Sequence, residues 1–145
     1  MRVYLAAAMT NASRDLATIR ALVDHLESAG HEVPTRHVAD AAGREPESAI
    51  THAEVARRDL AWVAGSDALV AEVSTPSHGV GVEVAAASAR GVPTLLVHRA
   101  GVPVSRLLLG LPGIEVAAYA DAAQARASVS RFLARVGAAR PAARG

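Results

Sequence analysis

The sequence contains no cysteine, which excludes disulfide bridges and thiolate metal sites and removes any requirement for an oxidising compartment. Aromatic residues make up only 3%, too few for the stacking platforms that bind single-stranded nucleic acid, so alanine, valine and leucine must fill the core. Excess charge is lacking as well. The formal net charge is +1, with arginine carrying the positive side, which leaves no electrostatic footprint for DNA, RNA or a membrane surface. No apolar run is long enough to span a bilayer, and the opening Met1-Arg-Val-Tyr-Leu goes straight into a strand pattern instead of a signal peptide. These absences lead to the expectation of a soluble, cytoplasmic protein. What is present is 145 residues, 51% of them hydrophobic, enough for one domain with a full core.

The periodicities alternate between strand and helix. Arg2–Ala7 reads as a strand, followed by a loop at Ala8-Met9-Thr10-Asn11. Leu16, Ile19, Val23 and Leu26 then repeat at helical spacing from about Ser13 to Ala29, with Gly30 as the stop. His31–Pro34 is expected as a short second strand, and Thr35–Ser48 as a long irregular stretch bordering the site. A helix over Glu47–Ala64 leads to the central strand Ala68–Val73, almost wholly apolar except for Glu72. After the turn Ser74–Ser77, a third helix runs from about Gly79 to Arg90, its positive end directed at the loop space. Thr94–His98 and Ile114–Ala118 are the remaining strands. A short helix falls near Ser105–Leu109, and a last one begins at the capping-box-like pair Asp121 and Gln124 and ends near Val136. The pattern predicts an α/β domain over residues 1–136, a doubly wound five-stranded parallel sheet of the flavodoxin-like order, and a disordered tail over 137–145. Ligands of such sheets bind outside the carboxyl ends of the strands, which nominates Ala8–Asn11, Arg36–Asp40, Ser74–Glu83 and Arg99–Ser105 as the pocket wall.

Within this frame one block stands out: Asp59-Leu-Ala-Trp62, then Ser66-Asp-Ala-Leu-Val-Ala-Glu-Val-Ser-Thr-Pro-Ser-His-Gly-Val-Gly-Val-Glu83, with two carboxylates 24 residues apart. The block resembles the nucleoside 2-deoxyribosyltransferase superfamily, and within it most closely the 2′-deoxynucleoside 5′-phosphate N-hydrolases. Further matches are Tyr4, His37-Val38-Ala39 and Ser105, so the resemblance extends over about Val3 to Phe132. It implies cleavage of an N-glycosidic bond, with Glu83 as the nucleophile at C1′, Asp59 at the departing base and Tyr4 orienting Glu83. It also implies that Ser77, Gly79 and Ser105 hold the 5′-phosphate, Ser105 in the partner's site of a homodimer; from their places in the pocket loops, Gly81, His37 and Thr10 are expected as further substrate contacts. A small nucleotide or nucleoside is the expected ligand, with no cofactor and no metal. Where those hydrolases carry Gly-Ser-Ile-Arg after the first strand, this chain has Ala7-Ala8-Met9-Thr10. An arginine–phosphate contact is worth about 1.5–3 kcal/mol, and Thr10, Arg36 and Arg99 are the residues that could replace it.

Each residue also has a plainer reading. Glu83 alone is a helix acid near a positive dipole end, Asp59 a solvated charge beside Arg57 and Arg58, and Tyr4 a packed strand residue. The six histidines form no helical i, i+4 pair with a carboxylate, and Ser74 and Ser77 lack a Gly-x-Ser-x-Gly elbow, so neither a metallohydrolase nor a serine hydrolase is indicated. Base exchange between deoxynucleosides and an inert nucleotide-binding module remain the alternatives to hydrolysis.

Overall fold

The computed structural model describes residues 1–41 and 49–139. β1 (Val3–Ala7) and β2 (Ala68–Glu72) are buried at every position, as strands covered on both faces must be. β3 (Thr94–Arg99) opens to solvent only at its end, whereas β4 (Ile114–Tyr119) is largely exposed. All four strands pair in parallel in the order β1-β2-β3-β4. Five helices are interleaved with them: α1 (Leu16–Ser28), α2 (His52–Ala64), α3 (His78–Ala89), α4 (Arg106–Leu109) and α5 (Ala122–Ala139).

Side chains alternate across the sheet, and each set meets its own helix layer. Val3, Leu5, Val70 and Val97 pack with Ile19, Leu22 and Leu26 of α1 and with Val129 and Phe132 of α5. Tyr4, Ala6, Leu69, Ala71 and Leu96 meet Val63 of α2 and Val80, Val84 and Ala87 of α3. Burying each large aliphatic or phenylalanine side chain contributes about 1.5–3 kcal/mol, which is how a core so poor in aromatics is held. The same alternation decides where the polar residues go. Tyr4 is directed to the α2–α3 side, and Glu72, two residues beyond Val70, to the α1–α5 side.

Among the described residues the sheet has four strands, not the five expected. The segment predicted as a second strand, His31–Pro34, is reduced to one parallel bridge between Arg2 and Glu32. Val3 N–H donates to Glu32 O at 2.8 Å and Glu32 N–H to Met1 O at 2.9 Å, but the pairing stops there. Pro34 has no N–H to continue a ladder. The buried Thr35 takes over instead: its hydroxyl accepts from Leu5 N–H at 3.0 Å and donates to Leu5 O at 2.7 Å. One side chain thus satisfies both backbone groups that a longer strand would have paired.

Helix ends follow their caps. α1 starts at Leu16, later than the expected Ser13, because the Asp15 carboxylate accepts from Thr18 N–H at 3.0 Å. α2 starts at His52, not Glu47. Thr51 Oγ1 accepts from Glu54 N–H at 3.2 Å and Glu54 Oε2 from Thr51 N–H at 2.7 Å, a complete capping box. Of the long irregular stretch, Arg36–Ala39 forms a 3-10 turn, while 42–48 lie outside the described residues. Asp121 and Gln124 start α5 as expected, with Gln124 N–H donating to Asp121 Oδ1 at 2.8 Å. That helix runs on to Ala139, so residues 137–139 are helical, not part of an irregular tail; 140–145 lie outside the described residues. Among the described residues no helix is long and apolar enough to cross a membrane.

Candidate active site

Two groups of side chains meet at α3. The first lies between the sheet and the α2–α3 layer. Tyr4 is 2% exposed, and its hydroxyl donates to Glu83 Oε1 at 2.7 Å, joining residues 79 apart in the chain. Burial, then the charge and hydrogen bond of Glu83, then the charge of Asp59 push the Tyr4 phenol far above its ordinary value, with Arg58 opposing them. Tyr4 is therefore a fixed hydrogen-bond donor. Asp59 on α2 accepts from Arg58 Nε at 2.8 Å, and the same guanidinium lies 4.7 Å from the centre of the Trp62 ring. His37, on the 3-10 turn, meets Trp62 at 6.1 Å with the rings tilted by 52°.

The second group lines a groove of about 1150 Å³ at the carboxyl ends of the strands. Thr10 from the loop after β1, Thr75 and Ser77 from the loop after β2, Gly79 and Gly81 from the first turn of α3, and Ser105 before α4 all face it. Ser77 caps α3, its hydroxyl accepting from Val80 N–H at 3.4 Å. Neither glycine has a positive φ. A Cβ at Gly81 would meet nothing within 4 Å, and one at Gly79 only Ser77 Oγ at 3.8 Å. Packing among the described residues demands neither, although glycine in a helix costs roughly 0.5–1 kcal/mol against alanine. What glycine does provide here is bare backbone facing the groove at the positive end of a helix. The groove also has an apolar rim, on which Val82 and Leu107 are 58% and 77% exposed.

A third cluster lies on the opposite side of the sheet. Glu72, at 0% exposure, closes β2, and its Oε1 accepts from Ser74 N–H at 3.1 Å, from the Ser74 hydroxyl in a short bond, and from Tyr119 OH at 2.9 Å. Ser74 Oγ in turn accepts from Arg99 N–H at 2.7 Å. Burial and the neighbouring Glu72 charge, against a lowering contact with Ser74, leave the Tyr119 phenol pushed up to about 12. Arg99 also bonds Asp15 at 2.8 Å, tying the loop after β3 to the start of α1. Partial burial works against the Asp15 carboxylate, but Thr18 N–H, the Arg99 guanidinium and the Thr18 hydroxyl together hold it below the usual range.

The residues singled out in the sequence are thus divided by the fold. Tyr4, Glu83, Asp59 and His37 belong to the first group, and Thr10, Ser77, Gly79, Gly81 and Ser105 to the groove. Of the candidate replacement arginines, Arg99 bonds Asp15 and Arg36 bonds Glu27 at 3.0 Å. The arginine–tryptophan stack and the Glu72 cluster were not foreseen. Arg58 and Trp62 do sit four apart on one helix, the spacing that brings side chains together. Among the described residues no three metal-ligating side chains gather into a site.

The family profile described as nucleoside 2-deoxyribosyltransferase matches residues 3–127 of the chain. A protein of Methanosarcina mazei with the provisional name 2′-deoxynucleoside 5′-phosphate N-hydrolase 1 is 41% identical over 121 residues, spanning 82% of this chain and 75% of that one. The 5-hydroxymethyl-dUMP N-hydrolase of Mus musculus is 39% identical over 99 residues, 67% of this chain and 57% of its own. Among solved structures, the CMP N-glycosidase of Clostridium botulinum shares the fold at a TM-score of 0.70 and 20% identity, covering 91% of this chain and 99% of that one. The block from Asp59 to Glu83, the buried tyrosine beneath it and the match over 3–127 agree: the chain belongs to the nucleoside 2-deoxyribosyltransferase family.

Proposed function

We propose that the chain hydrolyses the N-glycosidic bond of 2′-deoxynucleoside 5′-monophosphates, releasing the free base and deoxyribose 5-phosphate. The observation that carries this reading is the 2.7 Å bond from the buried Tyr4 hydroxyl to Glu83 Oε1. It fixes the orientation of the Glu83 carboxylate, the group that acts on C1′ in this reading. In the proposed reaction Glu83 attacks C1′ as the bond to the base breaks, giving a glycosyl ester. Water then attacks C1′, its hydroxyl staying on the sugar, its proton going to the bulk and Glu83 returning as a carboxylate. Asp59 hydrogen-bonds the departing base, which takes up one proton from the bulk, so that the proton later released by the attacking water balances it. The groove receives the 5′ end, where the Ser77 hydroxyl and the backbone of Gly79 and Gly81 face the phosphate. The exposed Val82 and Leu107 on the rim suit a homodimer in which Ser105 reaches the partner's site.

Base exchange on free deoxynucleosides is the second reading, favoured by the absence of arginine from the described groove lining. One assay separates the two. Deoxynucleosides, deoxynucleoside monophosphates and ribonucleotides are incubated with and without an acceptor base, and free and exchanged bases are resolved by chromatography. Net base release from the monophosphates is expected, and exchange without release would overturn hydrolysis. Glu83→Gln should lower turnover by roughly a thousandfold; undiminished turnover would remove Glu83 from the mechanism.

A further inference from the structure

The proposed chemistry makes no use of Glu72, yet this carboxylate is fully buried, and its Oε2 has no hydrogen-bond partner among the described residues. A carboxylate in such a place is costly, and a leucine of similar volume would serve packing alone as well or better. Its placement has another consequence. Through Oε1 it gathers the Ser74 backbone, the Ser74 hydroxyl and the Tyr119 hydroxyl, and through Ser74 the Arg99 N–H. The carboxyl ends of β2 and β4 therefore meet at one oxygen, and the end of β3 is joined to it through the Ser74 hydroxyl. Three residues beyond Ser74 the chain reaches Ser77, which caps α3 and faces the groove, and Thr75 between them is buried against it.

We propose that Glu72 is a positioning residue for substrate binding: from the α1–α5 side of the sheet it sets the loop 74–77 that carries Thr75, Ser77 and the start of α3 to the substrate. The inference rests on the proposed N-glycosidase reading for its kinetic readout, but not for its structural one. Glu83 has its own anchor in Tyr4, so loss of Glu72 should act on the grip of the substrate more than on bond cleavage.

The test compares the wild-type chain with Glu72→Leu and Glu72→Gln, measuring kcat and KM for a deoxynucleoside monophosphate and amide hydrogen exchange over residues 74–82. Glu72→Leu should raise KM by about tenfold or more with kcat within about threefold, and should quicken exchange in that segment about tenfold while α5 is unchanged. Glu72→Gln keeps a carbonyl oxygen to accept the same three donors and should restore both values to within about threefold of wild type. Unchanged KM and exchange in Glu72→Leu would overturn the proposal, as would a fall in kcat alone, the mark of a merely smaller folded fraction. Should Glu72→Leu not fold, Ser74→Ala removes two of the bonds, and its KM decides in the same way. Absence of base release by the wild-type chain would refute the functional reading, and the exchange measurement would still decide on Glu72.

Discussion

Tyr4 combines near-complete burial with a hydroxyl bonded to a carboxylate. A phenol in that position cannot ionise in the ordinary range, so it steers Glu83 without competing for protons. Tyr4→Phe removes one hydrogen bond to a charged group, worth about 1.5–3 kcal/mol, and should reduce kcat by roughly 10- to 100-fold. Steady-state kinetics on the two proteins checks this; an unaltered kcat would mean that Glu83 is oriented by its helix alone. Tyr4, Asp59 and Glu83 were singled out in the sequence through a block that resembles a known family, since each alone reads as an ordinary strand or helix residue. Glu72 reads in the sequence as an interruption in an apolar run and a candidate for the pocket wall, whereas it is buried against Tyr119 and is not among the groove-lining residues. Its partner Tyr119, and Arg99 which joins through Ser74, come from two other strands, and pairing of that range leaves no local pattern to read.

Elements were predicted well where periodicity had a physical terminator and poorly where a side chain replaced backbone. Gly30, with φ of +80°, ends α1 at the place read from the sequence. The second strand failed because Thr35 performs with one hydroxyl what a ladder would otherwise do, and no hydropathy pattern records that exchange. The start of α2 was placed too early for a different reason: Ile50 fits the apolar stripe, yet Thr51 and Glu54 form the capping signature just beyond it. Thr51→Ala removes the acceptor for Glu54 N–H and should cost about 1 kcal/mol of stability. Chemical denaturation measures it, and a change within a few tenths of a kcal/mol would show that α2 is held by Trp62 and Val63 instead of by its cap.

For the whole molecule the two tyrosines give a pH signature. Both phenols are raised above their ordinary value of about 10, Tyr119 to about 12 and Tyr4 further. Groups whose folded pKa is raised stabilise fully below the unfolded value and lose that contribution as pH rises toward the folded one. Above about pH 10 the unfolded chain has released protons that the folded chain keeps, so stability should fall by about 1.4 kcal/mol per pH unit for each tyrosine. With neither cysteine nor lysine in the sequence, little else titrates in that window. Denaturation curves between pH 9 and 12 test this, and a level profile would contradict the buried, bonded state of both rings. The parallel α/β architecture was legible throughout, because covered strands read as apolar runs; the number of strands was not.

The hydroxyl of Thr35 also bears on how copies of this chain meet. A sheet offers new strands a landing place wherever its border shows unsatisfied N–H and C=O groups, and such borders are where proteins stack into aggregates. On the β1 side Glu32 and Thr35 occupy those groups at Val3 and Leu5. The β4 side has no neighbouring strand among the described residues, and there Glu115 is bonded to Arg135, a charged pair set on the open border. The β1 border is closed mainly by sealing its backbone, with the Arg2–Glu32 ion pair at its outer end, and the β4 border by charge, so a loss at Thr35 would open the N–H and C=O of Leu5 to a strand from another copy.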